Sequence, residues 1–269
     1  MARRIWWGDF RTTEFEGIDP DKVIAVLPLA AIEQHGPHLP VSTDTSIMTG
    51  MIDTVAGMLP DETSGDLDVR FLPIQAVGKS NEHLAFPGTL TLPATVLIDQ
   101  WSELGASVAR AGIRKLVLVN SHGGNEEIMG IVARELRVRF AMMVVKTSWM
   151  RFGVPDNIYG ETEAKYGIHG GDRETSLMLH FRPDLVDMEK AENFPSRVLD
   201  AENAFRHLKH TGTHAFAWMS GDLNGAGTVG EAAKANAEKG RLTAEHQAAG
   251  FIELLADMRK AALADWIRG

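Results

Sequence analysis

Glu33-Gln34-His35-Gly36-Pro37-His38, with Asp44 nine residues beyond His35, puts two carboxylates and an imidazole into one short stretch. Carboxylate oxygen and neutral imidazole nitrogen are the donors a divalent metal of hard to borderline character takes. The plain alternative is a polar loop whose acids cap a helix, a role open to any one of these residues taken alone. Two further stretches carry similar chemistry. His122 lies in Asn120-Ser121-His122-Gly123-Gly124-Asn125, and His169 and Glu174 stand five residues apart in His169-Gly170-Gly171-Asp172-Arg173-Glu174. The amides of Gly123 and Gly124, at a helix start, offer a place for a substrate anion or a developing oxyanion, unless the pair only makes a tight turn. Asn125 could hold that turn in shape, but helix capping is the simpler expectation.

The surrounding pattern alternates strands and amphipathic helices. An apolar β-branched run at 23–27 predicts a strand stopping at Pro28, followed by a helix over 44–59 capped by Thr43 or Asp44, with Ile47, Met51, Ile52 and Val55 inward. A loop over 60–66 and a second strand over 69–74 follow, then a Gly- and Pro-punctuated segment over 78–89. Leu97, Trp101, Leu104, Val108 and Ala111 repeat as one face of a helix opened by Pro93 and closed by Gly112. Strands are predicted over 116–119 and 141–147, with a helix over 126–139 between them. Residues 149–168 read as an aromatic loop, and a helix begins near Gly171. Residues 184–227 read as loops with short elements, and 229–266 as helix broken near Gly240 and at Gly250. This order predicts a single α/β domain over residues 1–269, with a mostly parallel sheet layered between helices. Catalytic loops in such folds gather beyond the carboxyl ends of the strands, so three loops can converge on one pocket.

Composition narrows the function. The chain of 269 residues is 44% hydrophobic, enough for one large core. Lys plus Arg is 27 against 36 Asp plus Glu, a net charge of −9 without a basic block. That balance excludes nucleic acid and an anionic membrane as expected partners. With no cysteine, thiolate chemistry, disulfides and zinc-thiolate sites are ruled out. Arg3-Arg4 has no apolar h-region behind it, and no apolar run approaches the ~20 residues of a membrane span, so a cytoplasmic location is expected.

Taken together, Glu33-Gln-His35-Gly-Pro-His-Leu-Pro with Asp44, Asn120-Ser-His122-Gly-Gly-Asn125 and His169-Gly-Gly-Asp-Arg-Glu174-Thr-Ser resemble the creatininase (creatinine amidohydrolase) family. Glu82-His83-x-x-Phe86-Pro87-Gly88-Thr89 and the late Ala235-to-Gly240 stretch are similar to it as well, so the resemblance covers nearly the whole chain. It implies a creatininase-like fold, a divalent-metal amidohydrolase and assembly as a homohexamer. It also implies that Asp44 bridges two metals, that Glu33 and His122 hold one, and that His35 holds the other. Creatinine-hydrolysing members carry a Glu at the position of Gly124, and Glu174 is the replacement expected here. Two divalent ions per chain are expected, zinc first, with manganese or iron equally suited to these donors.

In chemical terms, two such ions can ionise a bridging water and polarise a carbonyl. His169 then serves as general acid or base toward the leaving nitrogen, a role the resemblance also implies, with Glu174 beside it. His83, Trp149 and Tyr166, with Gly123 and Gly124, are the expected contacts of a small polar substrate, and Phe152, Tyr159 and Trp218 are further lid candidates. His38 is expected to be structural, bonding within its own loop. Creatinine-hydrolysing members close a Trp over the ring shortly before the match to His169. This chain has Tyr166 and Lys165 there, which argues against creatinine itself. Lys79, Lys146, Arg151, Lys165 and Arg173 could anchor an anionic or polyol substrate. The expected reaction is hydrolysis of a non-peptide C–N bond in a cyclic amide or formamide. The alternatives are hydrolysis of a C–C or lactone bond in a keto-inositol-like substrate, a metal-dependent polyol isomerase, and a non-catalytic binding protein of the same fold. The intact set of six ligand and acid–base residues weighs against the last.

Overall fold

A computed structural model describes residues 3–59, 67–201 and 204–267; the loop expected over 60–66 lies outside the described residues. Four strands form one parallel sheet in the order β2-β1-β3-β4: β1 Val23–Leu29, β2 Asp68–Phe71, β3 Lys115–Asn120 and β4 Met143–Ser148. Every residue of β1 and β3 is buried. Ile24, Val26, Val117 and Val119 turn to one face, while Ala25, Leu27, Leu29, Leu116 and Leu118 turn to the other. That is why their sequences read as unbroken apolar runs: a parallel sheet is covered on both faces.

Helices α1 Thr43–Met58, α2 Ala94–Arg110 and α3 Glu126–Phe140 follow the first three strands. After β4 come α4 Glu161–Tyr166, α5 Asp172–Phe181, α6 Val198–Ala201, α7 Ser220–Leu223 and α8 Ala237–Lys260. A two-stranded antiparallel pair, β5 Asn193–Phe194 with β6 Gly230–Glu231, stands apart from the main sheet. α1, α5 and α8 pack together over one face of the sheet, and α2 and α3 over the other. Leu97, Trp101 and Val108 of α2 are fully buried, as their spacing requires. The N-terminal segment is tied down by Trp6 against Phe71 and by Arg70 over the rings of Phe10 and Phe15.

Several expectations need correction. β1 runs through Pro28 to Leu29. The even-numbered residues of this stretch turn their backbone groups toward β2, with Leu72 N donating to Val26 O and Gln75 N to Pro28 O. β2 ends at Phe71, so the ladder has stopped about where proline brings no N–H. β4 starts later than expected, because Ala141 takes a left-handed conformation (φ 52) to close α3. The 149–168 stretch is not all loop, since it contains α4. Residues 229–236 are not α-helical but hold β6 and a 3-10 turn, Ala232–Lys234, and α8 then passes unbroken through Gly240 and Gly250. These glycines allow contact rather than breaks. A Cβ at Gly240 would collide with the backbone of Ser176 in α5, and one at Gly250 with the ring of Phe152. Among the described residues no helix is long and apolar enough to cross a membrane.

Candidate metal centre

β1 and β3 are neighbours, with Leu29 beside Asn120, and the chain leaves the sheet in opposite directions around β1. The crevice beyond these two strand ends is the switch point where such sheets bind ligands. Glu33 and His35 follow β1, and His122 follows β3. Asp44 lies in the first turn of α1, and both it and the ligand loop are held to the strand ends by Glu33 N to Val41 O (2.9 Å), Thr45 Oγ1 to Ala31 O (3.0 Å) and Ser121 Oγ to Asp44 O (3.0 Å). The helix cap is Ser42 rather than Thr43 or Asp44, which leaves the Asp44 carboxylate for the crevice.

The third block arrives differently from the expectation. His169 and Glu174 do not follow a strand of the main sheet; they flank the start of α5. His169 is instead paired antiparallel with Val229, just before β6.

The structure brings Glu33, His35, Asp44, His122, His169 and Glu174 together. Glu33 Oε1 lies 3.1 Å from His122 Nδ1 and 3.7 Å from His169 Nδ1. His35 Nε2 lies 3.8 Å from Asp44 Oδ2 and 3.7 Å from Glu174 Oε2, and Asp44 Oδ2 is 4.0 Å from His122 Nδ1. Asp44 therefore stands between two donor sets, as a bridging ligand must. The second set, His35 with Asp44 and Glu174, is compact enough to hold an ion. No glutamate fits at position 124, because a Cβ on Gly124 would collide with Lys79 O, His122 Nε2 and Glu82 Oε1.

Backbone contacts orient the rings. His122 Nε2 donates to Lys79 O (2.7 Å), His35 Nδ1 to Glu33 O (3.0 Å) and His169 Nε2 to Gln34 O (2.7 Å). In each case the other nitrogen faces the carboxylates, the usual second contact of a metal-binding histidine. Burial raises the cost of the Glu33 charge, but His122, held at hydrogen-bonding distance, outweighs it and keeps the Glu33 carboxyl below the usual range. Burial likewise opposes charge on His122, yet Glu33 and Asp44 push it up to about 10. Burial first, and then the Glu33 charge, raises Asp44 well above an ordinary carboxyl. Burial lowers His35, and takes His83 down to about 3 and His169 to about 4.

Those shifts describe a cluster short of positive charge. Glu33 Oε2, His35 Nε2 and Asp44 Oδ2 are buried with no hydrogen-bond partner, in residues each 1% exposed. Leaving such atoms unsatisfied costs about 1–3 kcal/mol each, more where they are charged. The donors are all carboxylate and imidazole, so the site fits divalent metal.

Of the expected substrate contacts, His83, Gly123 and Gly124 line a pocket of ≈ 460 Å³ beside Glu33, His122 and His169. Gly123 begins a short 3-10 turn ahead of α3. Trp149 does not reach this pocket. It is buried in the core with its ring 5.0 Å from that of Phe251. Tyr166 does not line it either and stacks on His210. Among the other lid candidates Trp218 does line it, whereas Phe152 packs on Phe251 and the Tyr159 hydroxyl bonds Thr243. Lys146 and Arg151 pair with Glu126, and Lys165 lies over Tyr166.

His38 is structural, but its Nε2 reaches out of its own loop to Gly170 O and Thr175 Oγ1, both at 3.0 Å. Asn125 holds the N-cap position of α3, as expected, but its side chain makes no cap hydrogen bond. Its amide accepts from Lys79 N and donates to Ala30 O and Asn120 Oδ1, tying three loops behind His122. Two residues were missed in the sequence. Gln34 donates to His83 Nδ1 (2.7 Å) and Gly227 O, and accepts from Gly36 N. Glu82 Oε1 stands 3.5 Å from His122 Nε2, in the space a side chain at 124 would need. The Glu82-His83 pair was the available signal; nothing in the sequence showed that Glu82 faces His122.

Comparison with known proteins agrees with this fold. The chain is 28% identical over 269 residues to creatinine amidohydrolase of Pseudomonas putida, covering 96% of this chain and 98% of that one. It is 34% identical over 163 residues to the mycofactocin precursor peptide peptidase of Mycolicibacterium smegmatis, covering 61% of this chain and 60% of the peptidase. The solved structure "Creatininase Mn" superposes with a TM-score of 0.76 at 25% identity, over 96% of this chain and all (100%) of that one. Residues 8–255 match the family described as Creatininase: Creatinine amidohydrolase, and the chain belongs to that family.

Proposed function

We propose that the chain is a two-metal hydrolase that adds water across a C–N amide bond of a small polar substrate. The observation that carries this reading is the set of buried, unpartnered atoms Glu33 Oε2, His35 Nε2 and Asp44 Oδ2, which face one another across the strand ends. Glu33, His122 and Asp44 would hold one ion, and Asp44, His35 and Glu174 the other. Two divalent ions bound there supply an ionised water near neutral pH and an electrophile for the substrate carbonyl. To take part, His122 gives up the Nδ1 proton that Glu33 favours, so binding releases a proton.

The residues around the ions do the positioning. Gln34 and Val229, just before β6, fix His169 at the edge of the pocket, where it would pass a proton to the leaving nitrogen. His83 stacks on His169 with ring centres 4.3 Å apart and limits its rotation. Ile168, Thr211, Ala217 and Trp218 would exclude water above the reacting bond. A volume of ≈ 460 Å³ suits a small ligand. A cyclic amide or formamide remains our first candidate; the peptidase relative makes a peptide amide the competing one.

A second reading is favoured by one distance. His169 Nδ1 lies 3.7 Å from Glu33 Oε1, and Glu33, His35 and His169 together form a group compact enough to hold an ion. In that case His169 is a ligand rather than an acid. Elemental analysis of the purified protein, with Glu174→Gln and His169→Ala beside it, tests both readings. About two divalent ions per chain, falling to about one in Glu174→Gln and unchanged in His169→Ala, is the expected result. Loss of an ion in His169→Ala would favour the ligand role, and no bound or regained metal would overturn the enzyme reading. A panel of cyclic amides, formamides, lactones and short peptides then separates the substrate classes.

A further inference from the structure

The half of the centre that carries His169 and Glu174 is gathered around a carboxylate that touches neither ion set. Glu163, in α4, is 1% exposed. Its Oε1 accepts from Arg173 N (3.1 Å), the amide immediately before Glu174, and its Oε2 accepts from Glu231 N (2.8 Å) in β6. Three glycines from separate segments close over it: a Cβ at Gly167, at Gly171 or at Gly230 would collide with the Glu163 carboxylate. The Arg173 guanidinium folds back over the same group, with Nη2 donating to Gly167 O (2.7 Å) and Glu163 O (3.2 Å), and Nε 3.8 Å from Glu163 Oε1. One side chain thus ties the strand that pairs with His169 to the first turn of the helix that bears Glu174. Between those two attachments, Gly170 N donates to Glu174 Oε2 (2.5 Å) and Thr228 Oγ1 to His169 O (2.6 Å).

We propose that Glu163, with Arg173 folded over it, is the positioning residue of the second ion set, holding Glu174 against His35 and Asp44. The inference rests on the reading of His35, Asp44 and Glu174 as metal ligands. The chemistry favours a carboxylate at this position. Two backbone N–H donors approach two different oxygens, and a carboxylate accepts at both. An amide of the same size accepts at one and turns an N–H donor against the other. Loss of an acceptor here would release either β6 or the start of α5, and the error would be read at Glu174, whose own donors are few. Outer partners of this kind are worth about 10–100-fold in metal affinity.

Glu163→Gln keeps the volume that the glycines enclose and removes one acceptor. Arg173→Gln leaves both N–H contacts and removes the guanidinium, at a residue only partly buried, so it tests the clamp even if Glu163→Gln does not fold. Glu174→Gln is the reference for loss of a ligand. Each protein, loaded with zinc, is dialysed against a series of buffered free zinc concentrations and its zinc per chain is measured. The series extends to free zinc low enough to strip both ions from wild type, which sets the reference. In Glu163→Gln and Arg173→Gln one ion should leave at about 10–100-fold higher free zinc than in wild type, while the other is unmoved. A packing role alone would lower the melting temperature without separating the two ions. If Glu174→Gln loses an ion and both clamp variants titrate as wild type, the clamp is overturned and the metal centre stands. If Glu174→Gln also titrates as wild type, the ligand assignment falls, and the clamp with it.

Discussion

The two halves of the candidate metal centre are built by opposite means. Glu33, His35 and His122 stand beyond the ends of β1 and β3, strands buried along their whole length, and Asp44 stands on the first turn of α1, whose inner face is buried. Their positions are inherited from sheet register and a large apolar core. His169 and Glu174 stand on a stretch whose neighbours are α4, β6 and two or three residues of irregular chain, held by side-chain hydrogen bonds and closely packed glycines. The first half is rigid because of what surrounds it. The second half depends on a few polar contacts, each worth about 1 kcal/mol net. A fold of this kind can alter its second half without rebuilding its sheet.

The largest expected effect lies where the halves meet. Asp44→Ala should release both ions and abolish activity, seen as near-zero metal per chain; retention of both ions would show that the halves bind independently of it. Next in size, His169→Ala should keep both ions and lower kcat by roughly 10²–10⁴-fold, the usual worth of a general acid–base group. A wild-type kcat would remove the second half from the chemistry. Trp101→Ala, which removes a fully buried side chain of α2 behind the sheet, should cost about 3–5 kcal/mol of stability in a denaturant titration. It should leave metal per chain unchanged below the unfolding transition. If instead it lowers occupancy, the rigidity ascribed to the first half is wrong.

The smallest effect concerns His38, which joins the halves by reaching from the first loop to Gly170 and Thr175. Burial holds its imidazole at about 4, against 6.5 in the unfolded chain. The unfolded state therefore takes up the proton first, so this contribution is intact above pH 6.5 and is lost as pH falls from 6.5 toward 4. The loss is on the order of 3 kcal/mol at most. In melting curves from pH 7.5 to 4.5, His38→Gln should show a shallower fall than wild type; parallel curves would refute the assignment.

This division also explains what the sequence could reveal. The placement of the candidate ligands after β1 and β3 was legible because an apolar run, a break and a helix period together place a residue at a strand end. His169 and Glu174 were legible as residue types, but their setting was not. Their support comes from Glu163, in the short helix just before them, and from Thr228 and Gly230, which are distant in sequence, and these follow no period. Gly240 and Gly250 misled for a related reason. A glycine that permits close helix packing looks the same in sequence as one that ends a helix. Trp149 looked like a lid because it follows a strand, yet the core beside Phe251 had room for it.

Pro28 gives β1 a built-in stop. It sits in a central strand, opposite Val119, with its missing N–H on the side where β2 has just ended. A slip of one residue would turn the ring toward β3 and break a paired ladder, besides exchanging the two faces of the strand. A slip of two would carry it back among the hydrogen bonds to β2. The strand is thus keyed to a single alignment, and Glu33 emerges at a fixed height above the sheet each time the chain folds.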